Sequence, residues 1–343
     1  MTADQTISEA LPAHVQLIQM GNAYWISRIV YAAAKLGLAD LLADGPKNAA
    51  ELCGPTHTHA PTLHRLMRTL ASLGILTEQD AQRFALTPLG EALKTNAPGS
   101  ARATLLSFGS EWINAAWDEI MYSLETGQTG MQKAWNMPFF EYLAQHPDMA
   151  SLFSETMVGF HGAEPPAVAA AYDFSRFETI VDVGGATGNL LAAILAQHAG
   201  PRGILFDMPH VVSEAPALLK AHGIAERVSI ESGSFFEVVP AGGDIYLLSH
   251  IIHDWSEDQC LTILGHCRKA MKPDGRLMII EMVLPAGDTP HPGKVLDMVM
   301  LVIPGGQERI ESEYAALLEK AGFRLTSVIP TDSAVSLVEA VLA

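Results

Sequence analysis

The chain has little of what would tie it to a nucleic acid, a membrane or an oxidising compartment. It sets only 21 Lys and Arg against 38 Asp and Glu, a net charge of −17, so neither a phosphate backbone nor an acidic lipid surface meets a basic field. Cysteines number three, Cys53, Cys260 and Cys267. An odd count without a CxxC pair argues against a disulfide framework and a zinc site, and the spacing of Cys260 and Cys267 puts both on one helix face as packing residues. Long apolar runs are also missing: the uncharged stretch Val183–Pro201 is broken by Gly, Thr, Asn, Gln and His, and is no membrane span. The opening MTADQTISEALPAH carries acids and no apolar core, so no signal peptide is expected, and the three unpaired thiols point to a reducing, cytoplasmic location. What remains is 343 residues, 49% hydrophobic and 17% charged, with core enough for two domains.

The most telling segment present is Thr179–Asn189, TIVDVGGATGN. Ile180, Val181 and Val183 form a short β-branched run; Gly184, Gly185 and Gly188 form a turn almost bare of side chains; LLAAILAQH then reads as a helix. Such a turn lets a ligand press against backbone at a helix N-terminus. The dinucleotide frame G-x-G-x-x-G/A fails, because from Gly184 the third position is Ala186 and the sixth is Asn189, which disfavours nicotinamide chemistry. The spacing that holds is acid-x-G-x-(G/A)-x-G, on Asp182, Gly184, Ala186 and Gly188. It resembles the first motif of the Rossmann-like S-adenosylmethionine (SAM) methyltransferases, whose cofactor offers a sulfonium and an ammonium to the acid at the strand end. A second strand, GILFD, ends in Asp207, 19 residues beyond Gly188 (207 − 188), near the spacing at which an acid grips ribose hydroxyls.

Residues 1–100 read as helices closing in a short β segment. Ala32–Leu42 and Asn48–Cys53 are expected helical, as is Pro61–Leu73, whose Leu63, Leu66, Met67, Leu70 and Leu73 recur three to four apart before Gly74. A two-stranded wing around Glu78–Gln82 completes a winged helix. Such domains often read DNA through the helix before the wing, here with His64, Arg65 and Arg68. Seven basic residues against eight acidic ones in this stretch leave −1, without the basic surplus DNA binding uses, so dimerisation is the expected role and a ligand-sensing regulator the weaker alternative. Residues 101–172 are mostly helical and rich in aromatics; Phe108, Trp112 and Phe160, with the adjoining His161, suit the apolar wall of an acceptor pocket. From Tyr172 onward, strands near 178–183, 203–207, 227–231, 244–249 and 276–283 alternate with helices, which implies an α/β, doubly wound and mostly parallel sheet. FRLTSVIP, TDS and AVSLVEAVLA read as an antiparallel hairpin on its edge. The expected division is a winged-helix dimerisation domain (1–100), a helical linker contributing to the pocket (101–172) and a cofactor-binding catalytic domain (173–343).

Tyr246–Trp255, YLLSHIIHDW, closes a strand on the side where open α/β sheets bind ligands. His250 and His253 are both candidates; three residues apart, they face differently, and His253 leads into a helix with Ser256 as N-cap. Methyl transfer from a sulfonium is a direct displacement that requires no metal. It asks for a proton to be removed from the acceptor and for oxygen, carbon and sulfur to be aligned. A phenol of pKa ~10 can lose its proton to a histidine of pKa ~6.5 as the methyl arrives. Glu281, ending GRLMIIE, and Glu308, in PGGQERI, are the two acids that could fix the imidazole tautomer.

Taken together, PFFEYL (138–143), VDVGGATGN, FDMPHV (206–211), HDW (253–255), the strand ending in Glu281 and DMVMLVIPGGQERI (297–310) resemble the caffeic-acid-type O-methyltransferase family across nearly the whole chain. That resemblance implies a homodimer using SAM, with S-adenosylhomocysteine as product, to methylate a hydroxyl of a small aromatic or polyketide-like molecule. It implies His253 as base flanked by Glu281 and Glu308, cofactor contacts from Asp182, Gly184, Gly185, Gly188, Asp207, Met208, Ser234, Phe235 and Ser249, and acceptor contacts from Met157, Asp254, Asp297 and Met300. Two sites depart from the pattern. Ser234 and Phe235 replace an acid and an apolar residue at the adenine site, and Ser249 and His250 stand where a basic residue sometimes precedes the histidine motif. Some relatives keep the fold and use SAM in hydroxylation, decarboxylation or pericyclic chemistry; His253, Glu281 and Glu308 favour methyl transfer.

Overall fold

In TIVDV, IYLLS and RLMIIE successive side chains alternate between two cores. Ile180, Leu247, Met278 and Ile280 enter one; Val181, Tyr246, Leu248, Leu277 and Ile279 enter the other, and all are buried. Strands covered on both faces must be apolar throughout, which is why these runs read as continuous rather than alternating. The computed structural model describes residues 11–95, 97 and 99–343. The chain divides into two compact units, the first reaching Asn114 and including His146–Phe160, the second made of Ala115–Gln145 and His161–Ala343. The aromatic stretch 101–172 is thus shared between them.

In the first unit a 23-residue helix, Ala13–Lys35, leads into short helices and a wing. Asn48 caps Ala49–Leu52 in a capping box with Glu51. Helix Ala60–Ser72 buries Leu63, Met67 and Leu70 against Leu38, Leu52 and Phe84, and the chain leaves it through Gly74 at φ +74°. The wing is β1 (Leu76–Gln79) paired antiparallel with β2 (Arg83–Leu86), Leu76 opposite Leu86. Along the first helix Leu17, Ile18, Met20, Tyr24, Trp25 and Ile26 stay exposed.

The second unit is built on a seven-stranded sheet. Its parallel strands are β3 (Thr179–Val183), β4 (Arg202–Asp207), β5 (Val228–Ser232), β6 (Ile245–Ser249) and β7 (Arg276–Glu281). A two-residue strand β8 (Val283–Leu284) pairs parallel with β9 (Arg309–Ile310) outside the main sheet. The C-terminal hairpin of β10 (Phe323–Pro330) and β11 (Ser336–Leu342) completes the order β10-β11-β7-β6-β3-β4-β5, with β11 antiparallel to β7. The strand order reverses between β3 and β6, and a ligand crevice forms outside the carboxyl ends of strands at such a point. Among the described residues no helix is long and apolar enough to cross a membrane.

Candidate active site

The glycine turn after β3 is shaped by what lies beneath it. Asp182 is fully buried, and a Cβ on Gly185 would stand 2.6 Å from its carboxylate. Gly184 has φ +71°, Gly188 has φ +89° and caps helix Asn189–Gln197, and even Ala186 lies in the left-handed region at φ +51°. The turn is tied to β4 by the Gly184 N–H on the Phe206 carbonyl at 2.8 Å and by the Ala186 N–H on Asp207 Oδ2 at 2.9 Å. Asp207 Oδ1 accepts the Met208 N–H at 2.6 Å, so both its oxygens hold backbone and each keeps a further lone pair for a ligand. Neither Asp182 oxygen has a hydrogen-bond partner among the described residues. Burial, aided by the charge of Asp207, pushes Asp182 up to about 7; the Leu191 backbone offsets this slightly, from outside hydrogen-bond geometry. A buried carboxylate without a donor is poised for a cationic or hydroxyl-bearing ligand.

The other wall carries aromatics. Phe235 reaches to 3.5 Å from where a Gly184 Cβ would be, and packs edge-on to Phe236, ring centres 4.9 Å apart. Trp255 stacks on Phe140 of PFFEYL at 4.8 Å and takes the edge of Phe236. Ser234 Oγ accepts the Phe236 N–H at 3.2 Å, Met208 is exposed, and Ser249 ends β6 half-buried.

At the β6 end His253 is 5% exposed and held from two sides. Its Nδ1 lies 2.6 Å from Glu308 Oε1, and its backbone N–H donates to Glu281 Oε1 at 3.0 Å. Of the two acids expected to fix the imidazole, Glu308 grips the ring, while Glu281 grips the main chain. Glu281 Oε2 accepts the hydroxyl of buried Tyr314 at 2.5 Å. Parallel pairing of β8 with β9, Val283 opposite Arg309, brings the segment that follows Glu281 alongside the one that follows Glu308. With Nδ1–H given to a carboxylate, His253 Nε2 is its working nitrogen; Asp254 Oδ1 is 3.7 Å from it, beyond hydrogen bonding. Burial opposes charge on His253, but Asp254, Glu308 and Glu281 outweigh it and push the imidazole up to about 10. Asp254, enclosed beside these acids, rises to about 6, chiefly through burial.

Asp297 accepts the Glu308 N–H at 2.8 Å and so supports the loop, and Met300 is buried on the same helix, Gly293–Val302. His161 bonds Glu164. Phe108, Trp112, Met157 and Phe160 belong to the first unit, where Phe108 and Phe160 meet edge-on at 6.2 Å and Trp112 is buried. Four residues of the second unit escape sequence reasoning: Gly306, Arg309, Tyr314 and Glu164. Arg309 is buried and donates to the Ile252 carbonyl at 3.3 Å, setting a cation behind the acids. Only Gly306 leaves a readable signal, as the second glycine of a pair next to a candidate acid.

Comparison with known proteins matches residues 117–324 to the O-methyltransferase domain family and residues 18–96 to the O-methyltransferase dimerisation domain. The phenazine O-methyltransferase of Lysobacter antibioticus is 43% identical, over 96% of this chain and 97% of its own. The 3-amino-4-hydroxybenzoate 4-O-methyltransferase of Streptomyces cremeus is 41% identical, over 91% and 86%. An O-methyltransferase from neocarzinostatin biosynthesis, solved with SAM and 2-hydroxy-5-methyl naphthoic acid, superposes with a TM-score of 0.81 at 31% identity, over 93% and 96%.

Proposed function

The chain belongs to the O-methyltransferase family, and from that premise we propose that it is a cytoplasmic, homodimeric enzyme that uses SAM to methylate a hydroxyl of a small aromatic or polyketide-like acceptor. The observation that carries the chemistry is the buried His253–Glu308 pair, 2.6 Å from Nδ1 to Oε1, at the crevice end of β6. The orphaned Asp182 carboxylate, the bare backbone of the glycine turn and Asp207 fit a ligand with cationic and ribose groups, with Phe235 beside them for its base. The cofactor supplies an electrophilic methyl on a sulfonium. Asp182, Gly184, Gly185, Gly188 and Asp207 bind it. His253 takes the acceptor proton at Nε2, Glu308 holds the tautomer and balances the imidazolium, and Glu281 fixes the backbone that aims the ring. The exposed apolar side of helix Ala13–Lys35 supports burial in a dimer, which matches the dimerisation domain found there.

Mass spectrometry of products from SAM and a panel of phenols, hydroxyphenazines and hydroxynaphthoates tests the activity. His253→Ala should lower kcat about 10²–10⁴-fold, the usual contribution of a general base, with SAM affinity nearly unchanged. An acceptor already ionised at assay pH should recover part of that loss. Wild-type turnover in His253→Ala on a neutral hydroxyl would leave His253 a structural residue.

A further inference from the structure

A second histidine at the end of β6 is held as firmly as His253, and the proposed reaction does not use it. His250 Nε2 lies 2.7 Å from Glu164 Oε2, and His161 Nδ1 lies 3.0 Å from that same oxygen. The two imidazoles overlap with ring centres 3.8 Å apart. These are hydrogen-bond lengths to one shared acceptor; donors about 2.0–2.2 Å from a tetrahedral metal ion would stand roughly 3.3 Å apart. A carboxylate oxygen only accepts, so His161 carries its proton on Nδ1 and His250 carries its proton on Nε2.

His250 Nδ1 is therefore a lone-pair nitrogen. It is buried, with no partner among the described residues. Burial, with help from the two neighbouring histidines, holds His250 down at about 4 despite Glu164, so the ring stays neutral and this nitrogen stays an acceptor. Backbone strain marks the position as well: His250 has φ +53°, a left-handed conformation uncommon outside glycine, kept by its N–H on the Ile280 carbonyl at 3.1 Å. The His250 ring is 5.1 Å from the His253 ring, centre to centre, close enough for two substituents of one aromatic molecule to engage both.

We propose that His161, Glu164 and His250 form an acceptor-recognition relay, in which Glu164 fixes the His250 proton on Nε2 and the freed Nδ1 accepts a hydrogen bond from a second hydroxyl or N–H on the aromatic substrate. His250 is thus a specificity-determining residue beside the base, and Glu164 positions it. The relay rests on the O-methyltransferase reading above.

The test uses pairs of acceptors that differ only in a vicinal second hydroxyl, on benzene, naphthalene and phenazine rings. Affinity is measured on enzyme loaded with S-adenosylhomocysteine, and kcat/KM with SAM. Wild-type enzyme should favour the diol member about tenfold or more. His250→Asn, which tolerates the left-handed backbone yet is too short to bridge Glu164, should erase that preference, as should His250→Phe, which keeps a ring in the stack. Glu164→Leu should erase it and Glu164→Gln, which retains an accepting oxygen, should restore it. Histidine nitrogen NMR should show the His250 Nδ1 resonance moving upfield with the diol and not with the mono-ol. Equal losses on both acceptors, or an unchanged preference, would overturn the relay while leaving methyl transfer intact. A full Nδ1 shift with S-adenosylhomocysteine alone would overturn it in favour of the cofactor's amino group. Failure of wild-type enzyme to bind or methylate any acceptor would instead remove the O-methyltransferase reading and the relay with it.

Discussion

Gly306 lies flush against the backbone of His253: a Cβ at residue 306 would stand 1.8 Å from the His253 carbonyl oxygen and 2.6 Å from the Asp254 carbonyl carbon. The same oxygen accepts the Gln307 N–H at 2.9 Å. The loop that carries Glu308 is thus laid along the segment that carries His253, and their 2.6 Å contact is set by main chain before any side chain reaches across.

Adding one methyl at that point forces the two segments apart. Gly306→Ala is expected to lower kcat about 10²-fold, the usual result of a misplacement near 1 Å in a catalytic constellation. Overpacking should also cost about 1–3 kcal/mol of stability. SAM affinity, which rests on Asp182 and the glycine turn, should change little. Steady-state kinetics, thermal melting and calorimetry separate these effects. A variant with wild-type kcat would show that the close approach has no bearing on the histidine.

Asp182 invites the opposite trade. Its folded pKa near 7 stands above the ordinary 3.8, so whatever stability it contributes is complete below pH 3.8 and is lost as pH rises through 7. At pH 8 the ligand-free protein therefore carries a buried carboxylate with no hydrogen-bond partner among the described residues. Asp182→Asn, of the same shape, should melt at a higher temperature than wild type at pH 8, with the gap closing toward pH 5. The same variant should bind SAM about tenfold or more weakly. Equal melting at pH 8 would mean the charge is compensated within the protein.

Much of this arrangement was readable in the sequence because its parts are local. Strand runs, the glycine turn, the acids at strand ends and the capping residues each lie within a few residues of the structure they produce, so Asp182, Asp207, His253 and Glu281 fall where their motifs put them. The C-terminal hairpin and the wing were legible for the same reason. What was not legible depends on long-range register. Nothing near Glu164 signals His250, 86 residues away, and the parallel pairing of β8 with β9, two residues long, carries no pattern of its own. Glu281 ends its strand, as GRLMIIE implies, yet its carboxylate takes the His253 backbone N–H rather than the ring. Spacing along a chain does not encode that choice.

Tyr314 tests how far Glu281 depends on its remaining partner. Tyr314→Phe removes the O–H that Glu281 Oε2 accepts and leaves that oxygen buried, which should cost about 1–3 kcal/mol. Glu281, already raised by burial, should rise further, and its grip on the His253 N–H should weaken. Chemical denaturation at pH 8 measures the loss. A kcat drop smaller than that of Gly306→Ala is expected, because the ring contact with Glu308 is untouched.

The charge on His253 makes the last prediction. Its folded pKa of about 10 exceeds the ordinary 6.5, so its contribution to stability is complete below pH 6.5 and is lost as pH rises through 10. Melting temperature of the ligand-free protein should fall across that window, and less so in His253→Asn. A base that is already protonated at neutral pH must first give up that proton. A cation bound in the same crevice opposes the imidazolium and lowers its pKa, whereas a neutral thioether does not. SAM and S-adenosylhomocysteine differ by that one charge. Calorimetric titrations at pH 8, run in buffers of different ionisation enthalpy, should therefore show SAM releasing more protons than its product does, with the difference gone in His253→Asn. The base would then be freed only when the methyl donor is present. Equal proton release for the two ligands would mean that His253 is already neutral before the cofactor binds, and that the surrounding carboxylates hold less charge than their burial and spacing imply.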